Sequence, residues 1–151
     1  MKVWSFIPPE LVFQGGLPNE AVIGFWDAEP DSVLDFRENP AFVELMHAVI
    51  AKAGPTDPRL RAAAEEQQAG HIYVIDLRTP DGPQGEVPPV DVVGGWVVDG
   101  GVIVPGSYQA NPNHRLMTRD GESRLPPPLQ QALVDELIRL TRERKGDPPA
   151  T

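Results

Sequence analysis

The chain repeats part of itself, and that constrains its fold more than any other feature. Residues 18–26 read P-x-x-x-V-I-G-x-W and residues 88–96 read P-x-x-x-V-V-G-x-W. Pro18, Val22, Ile23, Gly24 and Trp26 thus match Pro88, Val92, Val93, Gly94 and Trp96 at an offset of 70. Further on, Phe36, Asn39 and Pro40 match Tyr108, Asn111 and Pro112 at an offset of 72. Two matches in one order, at nearly one spacing, mark a duplicated unit. The 151 residues are therefore read as a single domain of two halves, 1–57 and 70–146, with a connector helix over 58–69 and a disordered tail over 147–151.

Within the first half, residues 3–7 are β-branched and aromatic, and Pro8-Pro9 ends that strand because proline cannot donate into a ladder. Residues 11–13 add an edge segment, 21–26 a second strand and 32–36 a weaker third. Asn39 then caps a helix whose first position suits Pro40 and whose end suits Gly54. Phe42, Leu45, Met46, Val49, Ile50 and Ala53 form one apolar stripe along it. The connector, capped by Thr56 or Asp57 and stopped at Gly70, has high helix propensity and little to bury.

In the second half, residues 71–78 give the clearest strand, followed by a loop over 79–89 rich in proline and glycine. Residues 90–98 and 101–104 form a hairpin around Asp99-Gly100. Gly94-Gly95 in mid-strand predicts a bulge or a close backbone approach. Residues 107–123 are irregular, and a last helix over 127–145 has Leu129, Leu133, Leu137 and Leu140 as its seam. The expected fold is α+β: two pseudo-repeated β-β-β-α halves forming a largely antiparallel sheet with helices on one face.

Composition removes several function classes. With no cysteine there is no disulfide framework and no thiolate site. No apolar run approaches the roughly 20 residues of a membrane span, and MKVWSFIPPE does not read as a secretory signal, so a cytoplasmic protein is expected. Net charge is −9; residues 1–100 hold 16 acids and 6 bases, residues 101–151 hold 6 acids and 7 bases. That sign is opposite to what nucleic acid requires. Glu29, Asp31, Asp35 and Glu38, with Trp26 and Trp96, are the candidate surface for a basic protein partner; a merely solubilising acidic face is the plainer reading.

Candidate ligand-binding residues are Asp76, Arg78, Tyr108, Asn113, His114 and Arg115. Asp76 and Arg78 share a face at the strand's end, over the Pro/Gly loop, where an ion pair holding that loop is the commoner arrangement. His114 lies in NPNHR, a polar loop able to bind an anion or exchange a proton; against that, Asn111 and Asn113 can simply shape a turn. His71, Asp76 and His114 lack metal-ligand spacing, DGPQG lacks the lysine of a phosphate loop, and Ser5, Ser107 and Ser123 lack a nucleophile elbow. No catalytic residue, metal or cofactor is expected.

The order Y-V-I-D at 73–76, G-E-V-P-P-x-x-V-V-G-G-W-x-V-D at 85–99 and N-P-N-H-R at 111–115 resembles small actinobacterial proteins associated with type VII secretion systems. In these a V-P-P-x-x-V-x-G-x-W block precedes an N-P-x-Y-R block; His114 stands at the tyrosine. The resemblance implies a non-enzymatic accessory or immunity-like protein that works beside a toxin or secreted substrate. The alternative is an enzyme or small-ligand binder using Asp76, Arg78, Tyr108, His114 and Arg115, which requires those side chains to converge on one pocket.

Overall fold

Short runs of aromatic and branched residues make short strands, and the asparagines that follow them fix where each sheet stops. A computed structural model describes residues 2–7, 18–26, 36–78, 87–118 and 120–144. The expected segment at 11–13, most of the strand at 32–36, most of the loop at 79–89 and the tail lie outside the described residues. The fold is α+β, with three α-helices and antiparallel sheets among the described residues. Two compact units divide the chain, residues 1–49 with 131–151 and residues 50–130. These limits fall inside helices, not at the expected 57 and 70, and the connector helix belongs wholly to the second unit.

In the first unit β1 (Lys2–Trp4), β2 (Gly24–Trp26) and β3 (Phe36–Glu38) form an antiparallel sheet in that order. Helix α1 (Pro40–Ala53) follows. Its stripe is as the spacing requires: Phe42, Met46 and Ile50 are buried, with Leu45, Val49 and Ala53 half-buried beside them.

The second unit opens with α2 (Pro58–Gln67), where Asp57 is the cap and its Oδ1 accepts the Arg59 N–H at 2.9 Å. The helix stops at Gln68, earlier than Gly70, because Gln68 itself turns left-handed at φ +68°. Strand β4 (Ala69–Ile75) lies at one side of β5 (Val92–Asp99); β6 (Val102–Ile103) and β7 (Gln109–Ala110) pair with the other side. The β5–β6 turn uses Gly100 and Gly101 at φ +59° and +77°, one residue later than Asp99-Gly100. A separate hairpin joins β8 (Met117–Thr118) to β9 (Gly121–Glu122).

The two units share their internal registers. Trp4 opposes Gly24 as Val74 opposes Gly94, and Lys2 opposes Trp26 as Ile72 opposes Trp96. Phe25 opposes Arg37 as Gly95 opposes Gln109. A single 3₁₀ turn precedes each central strand, Asn19–Ala21 in one unit and Pro89–Asp91 in the other. Asn39 donates its main-chain N–H to Ile23 O and its Nδ2 hydrogens to Asn19 O and Val22 O; Asn111 does the same to Val93 O, Pro89 O and Val92 O, all at 2.7–3.0 Å. Each Oδ1 then accepts the N–H two residues on, from Ala41 at 3.2 Å and Asn113 at 3.1 Å. Even the glycines correspond: a Cβ on Gly24 would enter the Phe36 ring, and a Cβ on Gly94 would enter the phenol of Tyr108. That is the close approach expected at Gly94-Gly95.

Two expectations require correction. Among the described residues the strands make three antiparallel pieces, not one sheet. After Asn111 no helix begins, although one begins after Asn39. Pro112 and Asn113 turn instead, and helix α3 (Pro127–Arg144) comes only after the β8–β9 hairpin. His114 stands at the position matched to Phe42, and its ring lies against a buried carboxylate, as described below. In α3 the buried seam is Leu129, Leu133, Leu137 and Thr141; Leu140 lies beside it. Among the described residues no helix is long and apolar enough to cross a membrane.

Candidate functional site

Strand β4 alternates outward and inward until Asp76, which follows its last residue and is fully buried. A charge without water must be met by hydrogen bonds. Asp76 Oδ2 accepts the Ser123 hydroxyl at 2.5 Å and lies 3.1 Å from His114 Nε2. Since an ionised carboxylate only accepts, Nε2 carries a hydrogen and donates it. Oδ1 accepts the N–H groups of Arg124 at 2.8 Å and Arg78 at 3.3 Å. Burial pushes the Asp76 carboxyl up, but the bonds from His114, Ser123 and Arg124 and the charge of Arg78 outweigh it and hold the group below its ordinary value.

Arg78 is the second half of the cluster. Its Nε donates to Asp91 Oδ1 at 2.8 Å, while Asp76 Oδ1 is farther, at 3.8 Å. Three more guanidinium hydrogens go to the carbonyls of Gly121, Val90 and Arg115. Arg78 therefore ties together the 3₁₀ turn, the residues after Asn111 and the β8–β9 hairpin. Its ion partner is chiefly Asp91, not the Asp76 that the strand pattern pairs with it. Among the described residues no buried side-chain nitrogen or oxygen lacks a partner.

The chemistry of this arrangement is bounded by its geometry. A serine nucleophile needs a base on its hydroxyl. Here Ser123 and His114 both donate to one oxygen of Asp76, so the carboxylate is the hub and histidine does not stand between serine and aspartate as in a Ser-His-Asp triad. Asp76, Arg78, Asp91, His114 and Ser123 are all buried. Among the described residues no three His, Asp or Glu gather as metal ligands.

Of the six candidate ligand residues, Asp76, Arg78 and His114 are brought together. The other three are not. Tyr108 packs under Gly94 with its ring centroid 4.9 Å from that of Trp96, and burial drives its phenol well above the ordinary range. Asn113 is exposed, and Arg115, also exposed, donates to Pro112 O and His114 O. The pocket required by the ligand-binding alternative is not formed by these side chains. Trp96 cannot meet a partner either: it is 2% exposed and covers Gly54, where a Cβ would overlap its ring. Glu38 is half-buried; Glu29, Asp31, Asp35 and the side chain of Trp26 lie outside what is described.

Sequence reasoning passed over Asp91 and the main chain of Arg124, and weighed Ser123 only as a nucleophile. Asp91 had a readable signal, an acid between Val90 and Val92 in an apolar run, at the place where the first copy has Ala21. Ser123 had none.

The second unit has an open groove of about 570 Å³ on the solvent face of β4, β5 and β7. Gly95 makes part of its floor and Tyr73, Val97, Gln109, Asn111 and Pro112 stand around it. Tyr73 is 54% exposed and stacks with His71 at a centroid distance of 6.2 Å. Set against known proteins, the chain matches no family model, no curated protein and no solved structure.

Proposed function

We propose that this chain is a non-enzymatic, cytoplasmic protein-binding module of the immunity-like or secretion-accessory kind, which holds a basic partner, a toxin or secreted substrate, through its acidic surface. The observation that carries the reading is the sealed Asp76 cluster. The polar side chains on which an enzyme would have to rely are spent on one another, inside the fold. The open features of the second unit are instead a sheet face and a shallow groove, which suit a macromolecular partner. The surplus of acids among residues 1–100 favours a basic one.

The same proposal treats the two halves as pseudo-repeated copies of one β-β-β unit with an asparagine clamp, the helix being part of the repeat in the first copy only. Its support is the shared register and the four matching hydrogen bonds of Asn39 and Asn111. At the offset of 70, Ala21 is matched by Asp91 and Phe6 by Asp76, which places two acids where the first copy is apolar.

The test is retention of a partner from native lysate by the tagged protein at graded salt, beside a variant with Glu29, Asp31 and Asp35 each changed to Lys. A stoichiometric partner released by salt and lost by the variant, with an unchanged thermal melt, is the expected result. Equal retention by both proteins defeats the acidic-surface reading.

A further inference from the structure

Resting on the binding reading above, we infer that the outer edge of β4 is a strand-addition site: a basic partner enters as an extended segment that pairs with the main chain at Tyr73. The direction of the main-chain groups follows from what they touch. On β5, Val93 O accepts from Asn111, Val97 N–H donates to Ser107 Oγ and Val97 O accepts from Val104, so residues 93, 95 and 97 face β6 and β7. Residues 94, 96 and 98 therefore pair with β4, through Val74, Ile72 and Gly70. This leaves Ala69, His71 and Tyr73 with their N–H and C=O groups aimed away from the sheet.

Part of that outward row already has a stand-in neighbour. Gln67 Nε2 donates to Ala69 O at 3.0 Å and His71 O at 2.5 Å, sitting where a neighbouring strand would place its own N–H groups. The row continues past the reach of this amide. Among the described residues nothing meets the N–H of His71 or the N–H and C=O of Tyr73. Natural edges are usually blunted by charge, proline or a short length. β4 is seven residues of AGHIYVI, with no proline and no acid or lysine. An extended main chain supplies a donor and an acceptor at the spacing Tyr73 presents, while its side chains would lie beside the exposed Tyr73 ring and the groove over Gly95. A net charge of −9 selects a basic segment and opposes pairing with a second copy of this chain.

The experiment uses the full chain and a short capped peptide alternating lysine and valine, with a glutamate–valine counterpart. Amide exchange and peptide titration are followed by NMR. Expected are slowed exchange at His71 and Tyr73 when the lysine peptide is added, and weaker binding of the glutamate peptide. Tyr73→Pro removes an outward N–H and no bond to β5, and should weaken the lysine peptide about tenfold, whereas Tyr73→Val, which keeps the N–H, should not. If Tyr73→Pro fails to fold, exchange at Tyr73 in the unaltered protein decides alone. The inference is overturned if the peptide does not bind, if it binds without protecting Tyr73, if the glutamate peptide binds as tightly, or if the chain alone sediments as a dimer through this edge. Those outcomes leave the charge-reversal result at Glu29, Asp31 and Asp35 standing, so failure of the edge is distinguishable from failure of the binding reading.

Discussion

Asp76 is fully buried and accepts four hydrogen bonds, so its replacement leaves His114, Ser123 and the main-chain N–H groups of Arg78 and Arg124 without an ionised acceptor. Asp76→Asn should lower unfolding free energy by about 3–5 kcal/mol, the range for breaking a buried charge pair, measured by urea titration. The pH dependence has a definite sign. The folded carboxyl lies below its ordinary value of 3.8, so its contribution is fully present above that pH and is lost as pH falls through the lower folded value. Unfolding free energy of the unaltered protein should therefore drop more steeply below about pH 3.8 than that of Asp76→Asn. An unchanged slope in the variant would remove Asp76 as the acid-sensitive group. Arg139 is the contrast. It pairs with Glu136 and Glu143 on the exposed side of α3, where solvent screens the charges, and these bonds carry no comparable weight.

At the scale of elements, what was legible and what was not divides on a physical line. Helix α1 was readable because an Asn-Pro start and a stripe at 3.6-residue spacing are both local. The β5–β6 hairpin was readable to within one residue because glycines at positive φ are local too. Nothing local announced that Arg78 would reach Asp91, 13 positions away, or that Ser123 would reach Asp76 across 47. Such bonds come from chain return, which no window of sequence contains. Gly94 sits between these cases: its presence in a strand signalled a close approach, while the identity of the neighbour, Tyr108, needed the fold. Gly94→Ala should destabilise by about 1–3 kcal/mol, the usual range for overpacking, because the new methyl group meets the phenol. Combining it with Tyr108→Ala should cost less than the sum of the two, measured as a double-mutant cycle by urea titration; additive costs would place the strain elsewhere.

For the whole molecule, the match between residues 18–26 and 88–96 was legible in the sequence, while the start of a helix after Asn39 and not after Asn111 was not. Charge acts at this scale as well. The isoelectric point is about 4.7, so repulsion between copies vanishes on acidification before Asp76 loses its contribution. Turbidity against pH should peak near 4.7 at low ionic strength and fall away on either side; a maximum elsewhere would show that burial has moved many more carboxyls than Asp76. The asparagine clamps carry a last implication. Phe36 follows Trp26 by 10 positions and Tyr108 follows Trp96 by 12, yet both chains return to the same register, because the clamp is anchored to the 3₁₀ turn and the central strand and not to the intervening connection. A protein that pins its sheet in this way can lengthen, shorten or rewrite the segments between strands without re-threading the fold, which gives it cheap variation in the surfaces another molecule would meet.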